Sequence, residues 1–322
     1  MYTVEGEEVA VTSTGTTGTL CARSGDAALL AHLRTFHGQG VVEGVFRRTV
    51  NILMPDDMLI SLSARGSDNA PRTLVIDVEH WSDRAISAGQ SVEFTPEAIA
   101  LGAPGTPTRI QVAGAEEWHP ILPSLAALGP ADLSVAADAL DELVREHGSP
   151  GGMLGPSPAA SPMEVAVTRA LADGREKFVG SVTSADESGI RHAILALLGL
   201  GPGLTPAGDD FLTAPALLSA LPGSGLTPLG RVLAQVLREH AGRTTRLSAV
   251  TLEEALRGRA RAPVLDLVHM LSRTSGYNGA RVTQALRIPV RNVLAIGHTS
   301  GTDILSGLVT GLRLEKELRG SL

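Results

Sequence analysis

A single cysteine, Cys21, excludes an intramolecular disulfide and any cysteine-based metal cage, and it suits a reducing compartment. With only His32 and His37 close by in sequence, it is a weak nucleophile candidate. Aromatic residues are scarce, at 3%, which removes the stacking platforms used to bind single-stranded nucleic acid. Positive charge is short too: 27 Lys and Arg against 34 Asp and Glu leave a net charge of −7, with no basic cluster to mark a nucleic-acid face. No apolar run approaches the roughly 20 residues a bilayer span requires, and Met1 to Glu8 is acidic without an apolar signal core. A soluble, cytoplasmic chain with no nucleic-acid or membrane partner is expected, its core resting on Leu, Val, Ile and Ala.

What the chain does have divides in two. At 322 residues it has room for two domains, and the pattern changes near residue 121. Residues 1–121 are strand-rich: Val9 to Leu20, Val41 to Leu53, Met58 to Ser63, Thr73 to Val78, Val92 to Phe94 and Ile110 to Val112, with a brief helix at Ala27 to Leu33. This predicts an antiparallel sheet or small barrel. Arg47, Arg48 and Asn51 alternate with apolar neighbours and read as a solvated strand face or a basic surface for a partner. Residues 122–322 turn helical, with segments at Ala131–His147, Pro162–Ala172, Glu187–Leu198, Leu212–Leu221, Pro228–His240, Leu252–Arg257, Ala262–Ser272 and Asn278–Leu286. Ile288-Pro289-Val290 is expected to turn the chain. The overall class is α+β. Between the first two helices, Gly148 to Pro162 is rich in Gly, Pro and Ser: a mobile loop, a linker or a lid.

Two stretches of the helical part share one grammar. The first is Gly199-Leu200-Gly201-Pro202-Gly203-Leu204-Thr205-Pro206-Ala207-Gly208-Asp209-Asp210-Phe211. The second is Ile296-Gly297-His298-Thr299-Ser300-Gly301-Thr302-Asp303. Each follows an apolar run with glycines, a Thr, another Gly and an Asp, then opens an apolar helix. Aligned with one gap, Gly203 meets Gly297, Thr205 meets Thr299, and Asp210 meets Asp303. Either stretch alone is an ordinary capped helix start; their recurrence points to a shared site. Neither is a phosphate-binding P-loop, because no Gly-Lys-Ser/Thr follows, nor a dinucleotide fingerprint.

These residues resemble a domain-of-unknown-function family that includes a subunit of the oxamate carbamoyltransferase of allantoin breakdown. The resemblance covers mainly residues 190–312, with a similar layout in the strand-rich start. It implies carbamoyl or related amide chemistry in nitrogen catabolism, with partner enzyme subunits, moving a carbamoyl group between oxamate and phosphate.

The residues suit that chemistry. Gly201, Gly203, Gly208, Gly297 and Gly301 bring main-chain N–H donors to helix starts, and Arg243 and Arg246 add charge for an anionic ligand such as phosphate. Thr205, Thr299 and Ser300 supply hydroxyls. His298 suits proton transfer near neutrality. Asp209, Asp210 and Asp303 would repel phosphate, yet they fit the N–H side of a carbamoyl or ureido group, or one hydrated Mg²⁺. The expected catalytic set is His298, Asp210 and Asp303, with no dedicated metal site or other cofactor. Two readings stand beside the carbamoyltransferase: a non-catalytic scaffold whose glycines make helix junctions, and a hydrolase or lyase acting alone on a ureido compound.

Overall fold

The computed structural model of the chain describes residues 19–102 and 107–320. Most of the Val9–Leu20 strand expectation therefore lies outside the described residues. The chain forms two compact units that divide between Pro120 and Ile121.

The first unit is a closed mixed barrel. Its strands are β1 (Thr19–Asp26), β2 (Gly38–Val45), β3 (Thr49–Leu53), β4 (Leu59–Ser63), β5 (Thr73–Ile76), β6 (Ser91–Phe94), β7 (Ala98–Leu101), β8 (Thr108–Gln111) and β9 (Glu116–Trp118). They follow the order β5-β4-β3-β2-β6-β7-β8-β1, and a β1–β5 pairing closes the ring, with β9 added beside β1. The β1–β8, β1–β9 and β4–β5 pairs are parallel and the others antiparallel. Alternation decides what points inward: β6 and β8 bury every second residue, sending Val92, Phe94 and Ile110 into the core. The short helix α1 (Ala27–Leu33) adds Leu29, Leu30 and Leu33 to the same cluster. The apolar run from Val41 to Leu53 is two strands, folded back through Phe46-Arg47-Arg48. Asn51 does not share a solvated face with those arginines; it is buried and accepts a bond from the Ser61 hydroxyl at 2.9 Å. Cys21 is exposed on β1.

The second unit is helical: α2 (Pro130–His147), α3 (Pro162–Thr183), α4 (Glu187–Leu197), α5 (Ala207–Ser219), α6 (Thr227–His240), α7 (Arg246–Leu256), α8 (Ala262–Leu271), α9 (Gly279–Leu294) and α10 (Ser300–Gly320). No described helix is long and apolar enough to cross a membrane. On α2, Leu133, Ala136, Ala137, Leu140 and Val144 are all buried, the face its 3.6-residue period specifies. Helix α3 runs eleven residues past its expected end at Ala172, because Gly174, Phe178 and Val182 continue the buried stripe begun by Leu171. Helix α7 begins six residues before Leu252, capped by the Thr245 hydroxyl, which accepts from the Ser248 N–H at 3.1 Å. Ile288-Pro289-Val290 makes no turn: Pro289 lies inside α9, where Leu286, Val290 and Val293 are buried on either side and hold the helix through the lost hydrogen bond.

At the centre lie α5, buried along its whole length, and α10, buried from Gly301 through Leu312. Pro215 inside α5 removes the N–H that would bond the Phe211 carbonyl. Gly307 of α10 sits against that carbonyl, where a Cβ would collide. The close approach leaves room there for a hydrogen and nothing larger.

Glycine without such a role is a cost. Gly180, exposed on α3 with nothing within 4 Å of an added Cβ, is such a case. Gly180→Ala is expected to stabilise the helical unit by about 0.5–1 kcal/mol, read as a raised urea midpoint.

Candidate functional site

The loops that open α5 and α10 are built on one hydrogen-bond frame. In the first, the Leu197 carbonyl accepts from the Leu200 N–H at 2.9 Å, and the Leu200 carbonyl from the Gly208 N–H at 2.9 Å. In the second, the Val293 carbonyl accepts from the Ile296 N–H at 3.0 Å, and the Ile296 carbonyl from the Gly301 N–H at 3.0 Å. Gly208 and Gly301 also press against the Leu197 and Val293 carbonyls, where any Cβ would collide. Two residues further on stand Asp210 and Asp303. The frame pairs Gly201 with Gly297, both at positive φ, and Pro206 with Thr299, whose carbonyls accept from the Asp210 and Asp303 N–H groups. This differs from the alignment by residue type, which set Gly203 against Gly297 and Thr205 against Thr299. The first loop is longer, and residue type does not locate its extra residues.

The two loops meet. The Thr205 and Ser300 hydroxyls lie 3.1 Å apart, and both act on the Asp210 carboxyl. Asp210 is 4% exposed and Asp303 fully buried, and each has one carboxyl oxygen, Oδ2, with no hydrogen-bond partner. Burial pushes Asp210 up to about 7; the Ser300 hydroxyl opposes this, the negative charge of Asp303 adds to it, and Thr205 and Asp209 have smaller effects of opposite sign. Burial also pushes Asp303 up to about 7, against the Met153 N–H, which donates to its Oδ1 at 2.7 Å, and the Thr299 hydroxyl. No cation appears among the groups acting on either carboxyl.

The other expected residues fall into different roles. Asp209 is 1% exposed and has both oxygens engaged: Oδ1 accepts from the Gly199 N–H at 2.8 Å and Oδ2 from the Thr244 hydroxyl. Burial raises it, and these bonds oppose the rise. It braces the first loop against the segment before α7. The N–H groups of Gly208 and Gly301 are spent on the frame, so these glycines pack helices. Gly203, at positive φ, has open space around it. His298 is exposed on the second loop. Arg243 is exposed and donates to the Leu195 carbonyl at 3.2 Å, and Arg246 lies exposed in the first turn of α7; neither acts on Asp210 or Asp303. The site thus gathers Thr205, Asp210, Thr299, Ser300 and Asp303.

The stretch read from sequence as a mobile loop, a linker or a lid, Gly148 to Pro162, begins with a turn that covers Asp303, a target the sequence did not name. Gly152 lies against both of its carboxyl oxygens, and the Ser149 N–H donates to the neighbouring Thr302 hydroxyl at 2.9 Å. The Gly151-Gly152 pair was the available signal. Among the described residues, no group of three or more His, Cys, Asp or Glu side chains is placed to hold a metal ion. Hollows of about 410 Å³ on α3 and about 700 Å³ between α2 and α9 lie elsewhere, and no residue of the paired loops lines them.

Compared with protein families, residues 197–312 match the one described as oxamate carbamoyltransferase subunit AllH, and residues 21–117 match the AllH family N-terminal domain. The chain belongs to the AllH family. No solved structure matches it. The first match begins at Leu197 and ends at Leu312, so it takes in both frames of this AllH-family chain; the second spans the barrel from Cys21 to Glu117.

Proposed function

We propose that this AllH-family chain is a subunit of an oxamate carbamoyltransferase and that its paired loops form the site for a small carbamoyl compound. One observation carries the reading: two helix-start carboxyls, buried together, each keep an oxygen with no protein partner. A carbamoyl or ureido group offers N–H donors and a carbonyl acceptor to such a pair. Burial raises both groups to about 7, so that near neutral pH either carboxyl can hold a proton and donate, or release it and accept. Carboxyls that protonate this readily also tolerate an anion at the helix starts, where the N–H groups of the Gly201–Gly203 and Gly297 loops suit phosphate or a carboxylate.

Transfer from oxalurate to phosphate forms a bond from a phosphate oxygen to the carbamoyl carbon and breaks that carbon's bond to the oxamate nitrogen. The nitrogen must gain the proton that phosphate loses. Asp210 and Asp303 are assigned to this exchange, with exposed His298 passing protons to solvent. Thr205, Thr299 and Ser300 orient the ligand.

Calorimetry with oxamate and with carbamoyl phosphate tests the reading. Wild-type chain is expected to bind at least one, and Asp210→Asn to lower that affinity by a hundredfold or more, on the order of 3 kcal/mol, with folding kept. Wild-type binding of neither compound would refute it. That the family is described as a subunit favours one rival, a scaffold that completes a partner's site. Turnover by the purified chain alone argues against the scaffold, and turnover only on mixing with partner chains favours it.

A further inference from the structure

The reading above leaves one difficulty. Asp303 is wholly buried, and main chain from outside both loops lies on it. The covering turn is internally braced: the Gly151 N–H donates to the Gly155 carbonyl at 2.8 Å and the Gly155 N–H to the Gly152 carbonyl at 3.0 Å, with Gly151 and Gly155, but not Gly152, at positive φ. Its far end is tied by the Ser157 N–H to Glu164 Oε1 of α3 at 2.6 Å, and its near end by the Ser149 N–H to Thr302. A Cβ built on Gly151 would stand in ordinary contact range of both Glu164 and Thr299. The turn touches the second loop and α10 with polar main chain, and its grip on Asp303 is one N–H, that of Met153.

We propose that the Ser149–Gly155 turn is a third wall of the ligand site, which aims Asp303 through the Met153 N–H and lifts to admit the ligand. The bond to Oδ1 fixes the carboxyl so that Oδ2 alone is left for a ligand. A Cβ at Gly152 would strike the Asp303 carboxyl, so a side chain there must displace either the carboxyl from its aim or the wall from its seat. The wall's role for a ligand rests on the carbamoyl reading; its hold on Asp303 does not.

The test uses the full chain and two kinds of variant. Met153→Leu keeps the N–H and Met153→Pro removes it. In ligand-free protein with carboxyl-labelled Asp, followed by NMR, the Asp303 titration midpoint is expected to be unchanged in Met153→Leu. In Met153→Pro it is expected to rise by about one pH unit, because a bond to the ionised form is lost. A merely structural role for Met153 would not separate the two. Hydrogen exchange of the 149–155 segment, measured with oxamate and with carbamoyl phosphate, is expected to slow on binding. Gly152→Ala is expected to weaken binding at least tenfold. An unchanged midpoint in Met153→Pro, or exchange in 149–155 that a bound ligand leaves unaltered, overturns the proposal. Absence of binding to wild type, with the midpoint shift present, refutes the carbamoyl reading and leaves the turn's hold on Asp303 standing.

Discussion

Asp303→Asn is expected to yield a chain that is more stable than wild type at pH 8 and that no longer binds ligand. In the unfolded chain this carboxyl ionises near 3.8; buried in the native state it does so at about 7. Below the lower value both states hold the proton and pH has no effect through this group. Between the two values the unfolded chain has released its proton while the native state keeps it, so stability falls as pH rises. Above about 7 both are ionised and the full cost remains, on the order of 4 kcal/mol for such a gap. Asn is neutral throughout, and its carbonyl still accepts from Met153. Thermal unfolding of the helical unit between pH 4 and 8.5 should therefore decline for wild type and stay flatter for the variant, the curves crossing so that the variant is ahead at pH 8. Asp210→Asn should behave alike. The carboxyls held below their ordinary values, Glu164 among them, act with the opposite sign and below pH 4.5, at the acid edge of this window. A variant less stable than wild type at pH 8 would mean that Asp303 is a structural cap.

Gly307→Ala is expected to be among the most damaging single-methyl additions in the helical unit. The added carbon would meet the Phe211 carbonyl and its carbon atom, which are backbone and cannot rotate away. Helices α5 and α10 must then separate, at a cost of about 3 kcal/mol or more. Gly311→Ala, one turn later, is the control: its methyl meets Leu218 Cδ1, the end of a side chain that can change rotamer, and the cost is about 1 kcal/mol. Because α5 carries Asp210 and α10 carries Asp303, the first variant should also lose ligand binding while the second keeps most of it. Equal urea midpoints for the two would show that the Phe211–Gly307 approach does not set the helix spacing.

Much of this arrangement could be read from residue patterns. The stripe on α2 is a period any apolar side chain reports. The paired loops were visible because Gly and Asp recur at one spacing, Gly208 to Asp210 and Gly301 to Asp303. Contacts made by main chain were not visible: the Met153 N–H that holds Asp303 is a group nearly every residue carries, so its use leaves no mark on composition. Nor could the link from Thr244 to Asp209 be read, since nothing local distinguishes a hydroxyl that reaches across thirty-five residues from one that caps α7, as Thr245 does. Pro289 misled for a related reason. Its local preference is to end a helix, and burial of Leu286, Val290 and Val293 outweighs it. In the barrel, β7 is four residues long with only Ile99 and Leu101 buried, too short a signal to stand out.

The earliest described strand has a consequence for synthesis. β1 pairs with β5, β8 and β9, segments that begin at Thr73, Thr108 and Glu116. A nascent chain emerging in order offers β1 its first neighbour, β5, after about fifty further residues, but β8 and β9 only after about ninety, and the ring cannot close before then. Chains released short of Trp118 would expose an unsatisfied β1 edge, open to annealing with another copy.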